Sequence, residues 1–288
     1  MRWTPGDRSN IDDYRGRSGL SLGGGVPMGI GGFLLLLLLS WLTGTNPLSL
    51  LNSSGDGTDA VATTGRVASS PAEEREVDFV DAVMKDVQDF WRGALSGQYE
   101  PTRVVLFRDG IQSPCGLAQA ATGPFYCPPD SRVYLDLGFF SELSQRFGAP
   151  GDFARAYVIA HEVGHHVQKV TGVERRFRAA QEENPSAVNP LSVRFELQAD
   201  CLAGVWGHAA AQPGRANRGQ VELEPGDVDE GLQAAAAVGD DRLQRETSGR
   251  VAPDRFTHGT SAQRVEWFRR GFSAGAFNAC DTFARETR

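Results

Sequence analysis

Two histidines, His161 and His165, stand four residues apart in the sequence, and Glu162 directly follows the first of them. On an α-helix, residues i and i+4 share a face, so both imidazoles can point at one ion while the carboxylate of Glu162 lies beside it. This H-E-x-x-H spacing is typical of a zinc ion that activates a water molecule. The pattern predicts metal-assisted hydrolysis, with His161 and His165 as zinc ligands and Glu162 as the catalytic base. The alternative is an ordinary solvated helix face, because so short a motif also arises by chance.

The segment 152–172 predicts one helix that carries this motif near its middle. It offers an N-cap at its start, apolar side chains at helical spacing and a glycine at its end. Gly164 is worse than alanine inside a helix by about 1 kcal/mol, which indicates that another backbone or the metal site packs closely there. His166 lies about 100° further around the helix than His165. We expect His166 to be a surface residue or a support for the site, not a ligand of the same metal.

A catalytic zinc site usually has three protein ligands and one water, so a third ligand must lie elsewhere in the chain. Glu196 and Asp200 are again i and i+4, within a predicted helix from about Leu191 to Ala211. That helix is otherwise mostly apolar, and acids among such positions usually have a partner. We assign Glu196 to the metal and Asp200 to the second ring N–H of a ligand histidine, which it would orient. The alternatives are Asp200 as the ligand, or a solvated acidic face.

The motifs H-E-V-G-H-H-V-Q at 161–168 and E-L-Q-A-D-C-L-A-G at 196–204 resemble the neutral zinc metallopeptidase family of bacteria, the membrane-anchored YpfJ-like proteins. The resemblance also covers the Gly-rich start of the chain and the segments 123–130, 133–136 and 257–261. It implies a gluzincin-like peptidase fold with the three zinc ligands and the base assigned above. It implies no particular substrate.

Peptide hydrolysis also needs a donor for the oxyanion that forms at the scissile carbonyl. His258 is the first candidate, because it precedes a predicted helix that Thr260 or Ser261 can cap. A histidine that caps the helix or is satisfied in the core is the alternative. Tyr134 and Tyr157 could serve as donors too, and the sequence does not choose among them.

Two short strands are predicted, one from alternating residues at 131–137 and one from the apolar run at 103–107. We expect the strand at 131–137 to form a sheet edge near the motif helix, where a peptide could add as a further strand. Helical spacing of apolar residues predicts a helix from Val77 to Leu95, and Glu222 to Val238 and the end of the chain add further helices. The predicted fold class is α+β and mainly helical with a small sheet, and the resemblance implies a zincin-like metallopeptidase domain.

Residues 26–43 are nearly all apolar or small and include six consecutive leucines. Such a run is close to the minimum for spanning roughly 30 Å of hydrocarbon, so it predicts a single transmembrane signal anchor. Arginines precede the run and none follows until Arg66, so the positive-inside rule predicts a cytoplasmic tail at residues 1–25 and an extracytoplasmic remainder. A cleaved signal peptide is the alternative. Residues 44–72 are rich in small polar residues and predict a flexible linker, which leaves 73–288 for the zinc metallopeptidase domain.

Four cysteines, an even number, agree with an oxidising compartment. Cys115 and Cys127 flank a short loop, and a disulfide between these neighbours is the simplest of the three connectivities. Cys201 and Cys280 would then form the second bridge and tie the end of the chain to the helix that bears the acidic pair. Buried free thiols are the alternative.

The formal charge of −7 argues against a nucleic-acid partner, which would need a basic surface. The main hypothesis is a peptidase with one Zn²⁺ per chain, anchored in the cell membrane, that acts on peptide or protein substrates. A catalytically inactive zinc-binding scaffold is an alternative of another class, and a zinc hydrolase of non-peptide amides, for instance in the cell wall, is a third. The presence of Glu162 favours an enzyme, because zinc binding alone does not require that base.

Overall fold

The computed structural model describes residues 1–16, 69–119 and 123–284, which belong to one folded unit. Its α-helices are α1 (Pro71–Ala94), α2 (Gly138–Gln145), α3 (Asp152–Val170), α4 (Val173–Glu183), α5 (Val188–Ala210), α6 (Asp227–Ala237), α7 (Asp240–Ser248) and α8 (Ser261–Ala274). Its strands are β1 (Ile11–Asp13), β2 (Arg103–Phe107), β3 (Gly110–Ser113), β4 (Gly116–Gln119), β5 (Phe125–Cys127) and β6 (Arg132–Asp136). The fold class predicted from the sequence, mainly helical α+β with small sheets, is confirmed.

Four of the strands form a mixed sheet in the order β1-β2-β6-β5, and β3 and β4 form a separate antiparallel hairpin. Strand β2 pairs in parallel with both β1 and β6, whereas β5 pairs with β6 antiparallel. Side chains alternate between the two faces of a strand. One face joins the main core through Val104, Leu106, Val133 and Leu135. The opposite face forms a smaller cluster, in which Val105, Phe107 and Tyr134 pack with Ala118 of the hairpin.

Helix α3 lies at the centre of the helical part, packed against α1, α5 and α6. The two backbones of α3 and α5 lie close together at Gly164, where a Cβ atom would lie 3.0 Å from the carbonyl oxygen of Ala199. Contacts this short are rare for a real Cβ, so the glycine lets the two backbones meet. This confirms the prediction of a close backbone neighbour, and it brings the two helices that carry the i, i+4 pairs side by side.

The predicted helices are confirmed with shifted ends. The largest shift is in α1, which begins at Pro71, ahead of the predicted Val77. The hydroxyl of Ser70 accepts a hydrogen bond of 3.1 Å from the backbone N–H of Glu73, and Pro71 stands in the first turn, where its missing N–H costs nothing. The first turn is polar, so the apolar periodicity used for the prediction starts only after it.

One prediction about the sheet is wrong. The strand expected at 131–137 as a sheet edge is β6, which lies between β2 and β5 in the interior of the sheet. The edge nearest the motif helix is β5, with β6 as its one partner in the sheet order. A three-residue strand is too short to show an alternating pattern, and Tyr134 of β6 is buried beneath the hairpin.

The predicted separation between a tail at residues 1–25 and the domain is also wrong for residues 1–16, because these residues fold onto the domain. Strand β1 pairs with β2 over three residues, and Arg2 forms an antiparallel bridge with Glu222. The arginines that supported the prediction of a cytoplasmic tail include Arg8 and Arg15, and both pair with acids of α1. The predicted anchor at 26–43 and nearly all of the predicted linker at 44–72 lie outside the described residues. Among the helices that the structure does describe, none has the length and apolar character to cross a bilayer.

Both predicted disulfides are confirmed. Cys115 bonds to Cys127, with Cα atoms 5.8 Å apart, and Cys201 bonds to Cys280, with Cα atoms 5.5 Å apart. The first bridge ties the β3–β4 hairpin region to β5. The second ties the segment after α8 to α5.

Candidate metal centre and active site

Helices α3 and α5 bring His161, His165 and Glu196 together. One ligand atom from each residue lies within 4.8 Å of the others. Within residues 1–16, 69–119 and 123–284, these three side chains form a group that could bind a metal ion. The Nε2 atom of His161 lies 3.2 Å from one carboxylate oxygen of Glu196, and Nε2 of His165 lies 3.6 Å from the other. The three side chains assigned to the metal from the sequence therefore converge.

Each histidine is held through its other ring nitrogen, which leaves Nε2 directed at the shared point. Nδ1 of His161 lies 2.9 Å from Oδ1 of Asp200, and Nδ1 of His165 lies 2.8 Å from Oε1 of Gln168. Both partners are acceptors, so the neutral form of each ring carries its proton on Nδ1 and offers the Nε2 lone pair. Two imidazole nitrogens and one carboxylate form a donor set that suits zinc, and the described residues fit such an ion.

Asp200 lies at the centre of a buried polar network behind His161. Its two oxygens accept hydrogen bonds of 2.8 and 2.9 Å from the guanidinium of Arg264, and Tyr157 donates its hydroxyl proton to the same carboxylate. Burial opposes ionisation of Asp200, but Arg264 and His161 outweigh it and hold the pKa of this carboxyl below its usual value. Asp200 thus contacts Nδ1 of His161, whereas Glu196 contacts Nε2. This geometry supports the assignment of Asp200 as the residue that orients the ligand.

The proton balance of His161 links metal binding to pH. Burial opposes its protonation, yet Asp200 and Glu196 prevail and raise the pKa of the imidazole to about 9. A metal ion must compete with that proton for Nε2. Metal binding is therefore expected to release a proton and to weaken as the pH falls.

Glu162 is buried and lines the same cavity as the three converging residues, a space of about 580 Å³. Burial raises the pKa of the Glu162 carboxyl above its usual range, and the neighbouring imidazoles of His161 and His165 oppose this only in part. A carboxylate with a raised pKa beside a metal site is suited to accept a proton and give it back near neutral pH. The position and burial of Glu162 both fit the role of general base.

His258 lines this cavity as well, and Asp240 holds it there. Nδ1 of His258 lies 3.2 Å from Oδ1 of Asp240, and Oδ2 accepts the backbone N–H groups of Thr257, His258 and Gly259. The hydrogen bond that the imidazole makes to the Asp240 carboxylate is the main reason that the pKa of His258 is raised. A positively charged imidazole that faces the cavity can donate to a developing oxyanion.

The two tyrosines considered for the same task are placed differently. Tyr157 lines the cavity, but its hydroxyl proton is donated to Asp200. The hydroxyl of Tyr134 donates to Asp130 at 2.7 Å, on the face of the sheet beneath the hairpin. Of the three side chains considered, His258 is the one whose position favours the donor role.

His166 is buried and not at the surface, in contrast to one of the two expectations. Its Nδ1 lies 2.9 Å from the hydroxyl of Tyr126 in β5, and its Nε2 lies 2.6 Å from the backbone oxygen of Glu100. The ring thus joins α3 to the edge strand on the side away from the metal. Phe125 and Tyr126 line the cavity, so β5 forms part of its wall.

Sequence reasoning missed Gln168, Asp240 and Arg264. Gln168 follows His165 by three residues on the same helix, and this spacing could have indicated a partner. Asp240 and Arg264 carry no local signal, because they reach His258 and Asp200 from 18 and 64 residues away. Only the packing of α7 and α8 against the site identifies them.

Comparison with known proteins agrees with this geometry. The family model described as "Putative neutral zinc metallopeptidase" matches residues 1–283. Uncharacterized protein YpfJ of Escherichia coli strain K12 is 43% identical over 296 residues, which cover 99% of each chain. Uncharacterized protein Rv2575 of Mycobacterium tuberculosis strain H37Rv is 44% identical over 209 residues, which cover 71% of this chain and 70% of the relative. No solved structure matches the chain. The chain therefore belongs to the neutral zinc metallopeptidase family.

Proposed function

We propose that this member of the neutral zinc metallopeptidase family is a zinc-dependent peptidase of the gluzincin type, with one zinc ion bound by His161, His165 and Glu196. The observation that carries the proposal is the convergence of these three residues beside the buried carboxylate of Glu162. When bound there, zinc would polarise the scissile carbonyl and lower the pKa of a water molecule. The membership of the chain in this family agrees with that chemistry.

The residues around the metal group have separate roles in the reaction. Glu162 accepts the proton of the attacking water on its carboxylate and returns it to the nitrogen of the leaving amine. His258, charged and positioned by Asp240, donates a hydrogen bond to the carbonyl oxygen as negative charge develops there. Asp200 and Arg264 take no part in proton transfer, and they keep the ring of His161 in place.

A peptide is the substrate class that the surroundings of the site favour. Among the strands that the structure describes, β5 pairs with β6 alone, and its residues Phe125 and Tyr126 line the cavity that contains Glu162. An extended peptide can pair with such a sheet edge through its backbone, which would lay a scissile bond across the metal group. This arrangement supports peptide or protein substrates over other amides.

We further propose that residues 26–43 hold the enzyme at a membrane and that it works in an oxidising compartment. The length and apolar character of this run support the first statement. The two disulfides support the second, because such bonds persist mainly outside the reducing cytoplasm.

The test uses the full chain in detergent, because residues 1–16 belong to the folded unit. Zinc content and cleavage of a mixed peptide library are measured for the wild type, for Glu162→Gln and for Glu183→Gln, a control at an exposed glutamate of α4. We expect one zinc in all three proteins and cleavage by the wild type and the control only. Zinc without cleavage in any protein would favour the scaffold or a non-peptide amide hydrolase, and a wild type without zinc would refute the proposal.

A further inference from the structure

The N-terminal segment, residues 1–16, is built into the backbone of the catalytic unit. Ile11, Asp12 and Asp13 of β1 stand in register with Val104, Val105 and Leu106 of β2. The pairing extends beyond the strand, since Val104 donates its N–H to the carbonyl oxygen of Asn10 at 2.9 Å and Tyr14 donates to Leu106 at 2.8 Å. At the other end of the segment, Arg2 and Glu222 exchange backbone hydrogen bonds of 2.9 and 3.0 Å.

Buried acids of α1 hold the same segment by its backbone and side chains. Asp81 is fully buried, and its carboxylate accepts the backbone N–H of Arg8 at 2.9 Å and the side-chain amide of Asn10 at 3.0 Å. Gly6 lies so close to this carboxylate that a Cβ atom would stand 2.2 Å from Oδ2. A side chain at position 6 would therefore force the Asp81 carboxylate to move.

A further group of charges depends on the segment. The guanidinium of Arg8 pairs with Glu74 and Asp78 on α1, and Arg15 is buried with Asp13 and Glu74 around it. Residues 1–16 supply the donors from Arg8 and Asn10 that Asp81 accepts, and without this segment β2 would expose a row of unpaired backbone groups. Helix α1 and strand β2 therefore both have polar groups that pair with this segment.

Contacts of this kind cannot form across a bilayer. The hydrogen bonds between the two parts are near 3 Å, whereas the hydrocarbon core alone is about 30 Å thick. We infer that residues 1–16 and residues 69–284 lie on the same side of the membrane. This inference replaces the predicted topology, in which the start of the chain was cytoplasmic and the domain extracytoplasmic.

The inference constrains the chain between the two parts. A single crossing within residues 17–68 would place residues 16 and 69 on opposite sides, so the number of crossings must be even. Residues 26–43 are the one run in this stretch of sequence that is long and apolar enough to cross, since 44–68 are rich in polar residues. The same-side inference is therefore incompatible with the single membrane crossing expected from the sequence.

Cysteine accessibility tests this inference without reference to enzyme activity. All four native cysteines are in disulfides, so an added cysteine is the one free thiol of the chain. Full-length Thr4→Cys and Ser141→Cys, both at exposed positions, are produced separately in a bacterial host, with the wild type as the background control. Spheroplasts are treated with a membrane-impermeant maleimide, and a second sample is treated after lysis in detergent.

We expect Thr4→Cys and Ser141→Cys to give the same labelling pattern. Labelling of both before lysis would place the whole unit outside the cytoplasm, and labelling of both only after lysis would place it inside; either result supports the inference. Labelling of one before lysis and of the other only after lysis would overturn it. Because no step measures hydrolysis, a failure of this test is distinct from a failure of the proposed peptidase activity.

Discussion

Replacement of Asp200 by asparagine should weaken zinc binding and folding together, by amounts that follow from its contacts. The carboxylate accepts both guanidinium bonds of Arg264 and orients Nδ1 of His161, and none of these groups is appreciably exposed. Asparagine would turn its own side-chain NH₂ group toward an N–H donor of Arg264 or His161. It would also leave the charge of Arg264 buried without a counter-ion. Loss of one partner of a buried pair typically costs about 3–5 kcal/mol of unfolding free energy.

The effect on the metal is smaller, and it can be measured separately. Loss of a carboxylate that orients a ligand histidine typically lowers metal affinity about 10- to 100-fold, or about 1.4–2.8 kcal/mol. At a free zinc concentration of 100 times the wild-type Kd, zinc stabilises the wild type by about 2.7 kcal/mol. With a 100-fold weaker Kd, the same zinc concentration would stabilise Asp200→Asn by about 0.4 kcal/mol, from RT ln 2. The zinc-induced rise in Tm should thus shrink from about 5–11 °C to about 1–2 °C.

A matched control separates these two effects. Asp86 is also buried, with Arg215 at 2.8 Å and the indole N–H of Trp206 at 2.9 Å, but its partners lie outside the metal centre. We expect Asp86→Asn to lose a similar amount of stability and to keep the wild-type zinc Kd, measured by competition with a chromophoric chelator. If Asp200→Asn also keeps the wild-type Kd while its zinc-free form is destabilised, then Asp200 supports only the fold, and the role assigned to it is refuted.

Three further predictions concern the third ligand, the histidine in the cavity and the N-terminal segment. Glu196→Ala should lose its zinc, and full zinc occupancy on elemental analysis would contradict the ligand assignment. Asp240→Asn removes the negative charge beside His258 and weakens the hydrogen bond that raises the pKa of the imidazole. Since the charged ring is the donor, activity is present below that pKa and lost above it, so the alkaline limb of kcat/KM should move to lower pH; an unchanged pH profile would argue against this donor. Asp81→Ala leaves N–H groups of the N-terminal segment unpaired and should lower stability by about 1–3 kcal/mol, or 2–12 °C in Tm, whereas Asp89→Ala on the exposed side of the same helix should change it by less than about 0.5 kcal/mol.

The metal group could be predicted from the sequence because its geometry is local. His161 and His165, like Glu196 and Asp200, are i, i+4 pairs, and a helix alone fixes which side chains share a face. Gly164 also indicated a contact with a distant part of the chain, since a glycine inside a helix indicates a close neighbour. That Arg264 holds Asp200 and Asp240 holds His258, however, depends on where α8 and α7 pack, and periodicity says nothing about packing partners.

The two wrong predictions have a common physical cause. The edge strand β5 and the N-terminal strand β1 have three residues each, too few for a periodic signal. Their positions are fixed by distant partners, Cys115 and β6 for one and α1 and β2 for the other. A nearby apolar run of 18 residues dominated the interpretation of the N-terminal part, although it contains no information about what the residues before it contact.

The polar network around the metal group explains why metal affinity and folding stability should change together at Asp200. Gln168 holds His165 through its oxygen and binds the backbone oxygen of Phe195 through its nitrogen at 2.7 Å, so one amide links both ligand-bearing helices. Asp200 does the same for His161, with Arg264 adding α8 to the connection. Each ligand ring is thus fixed by a residue that also joins two helices. A substitution there must loosen the helices and misplace the ring at once, whereas one at Asp86 loosens the fold and leaves both rings in position.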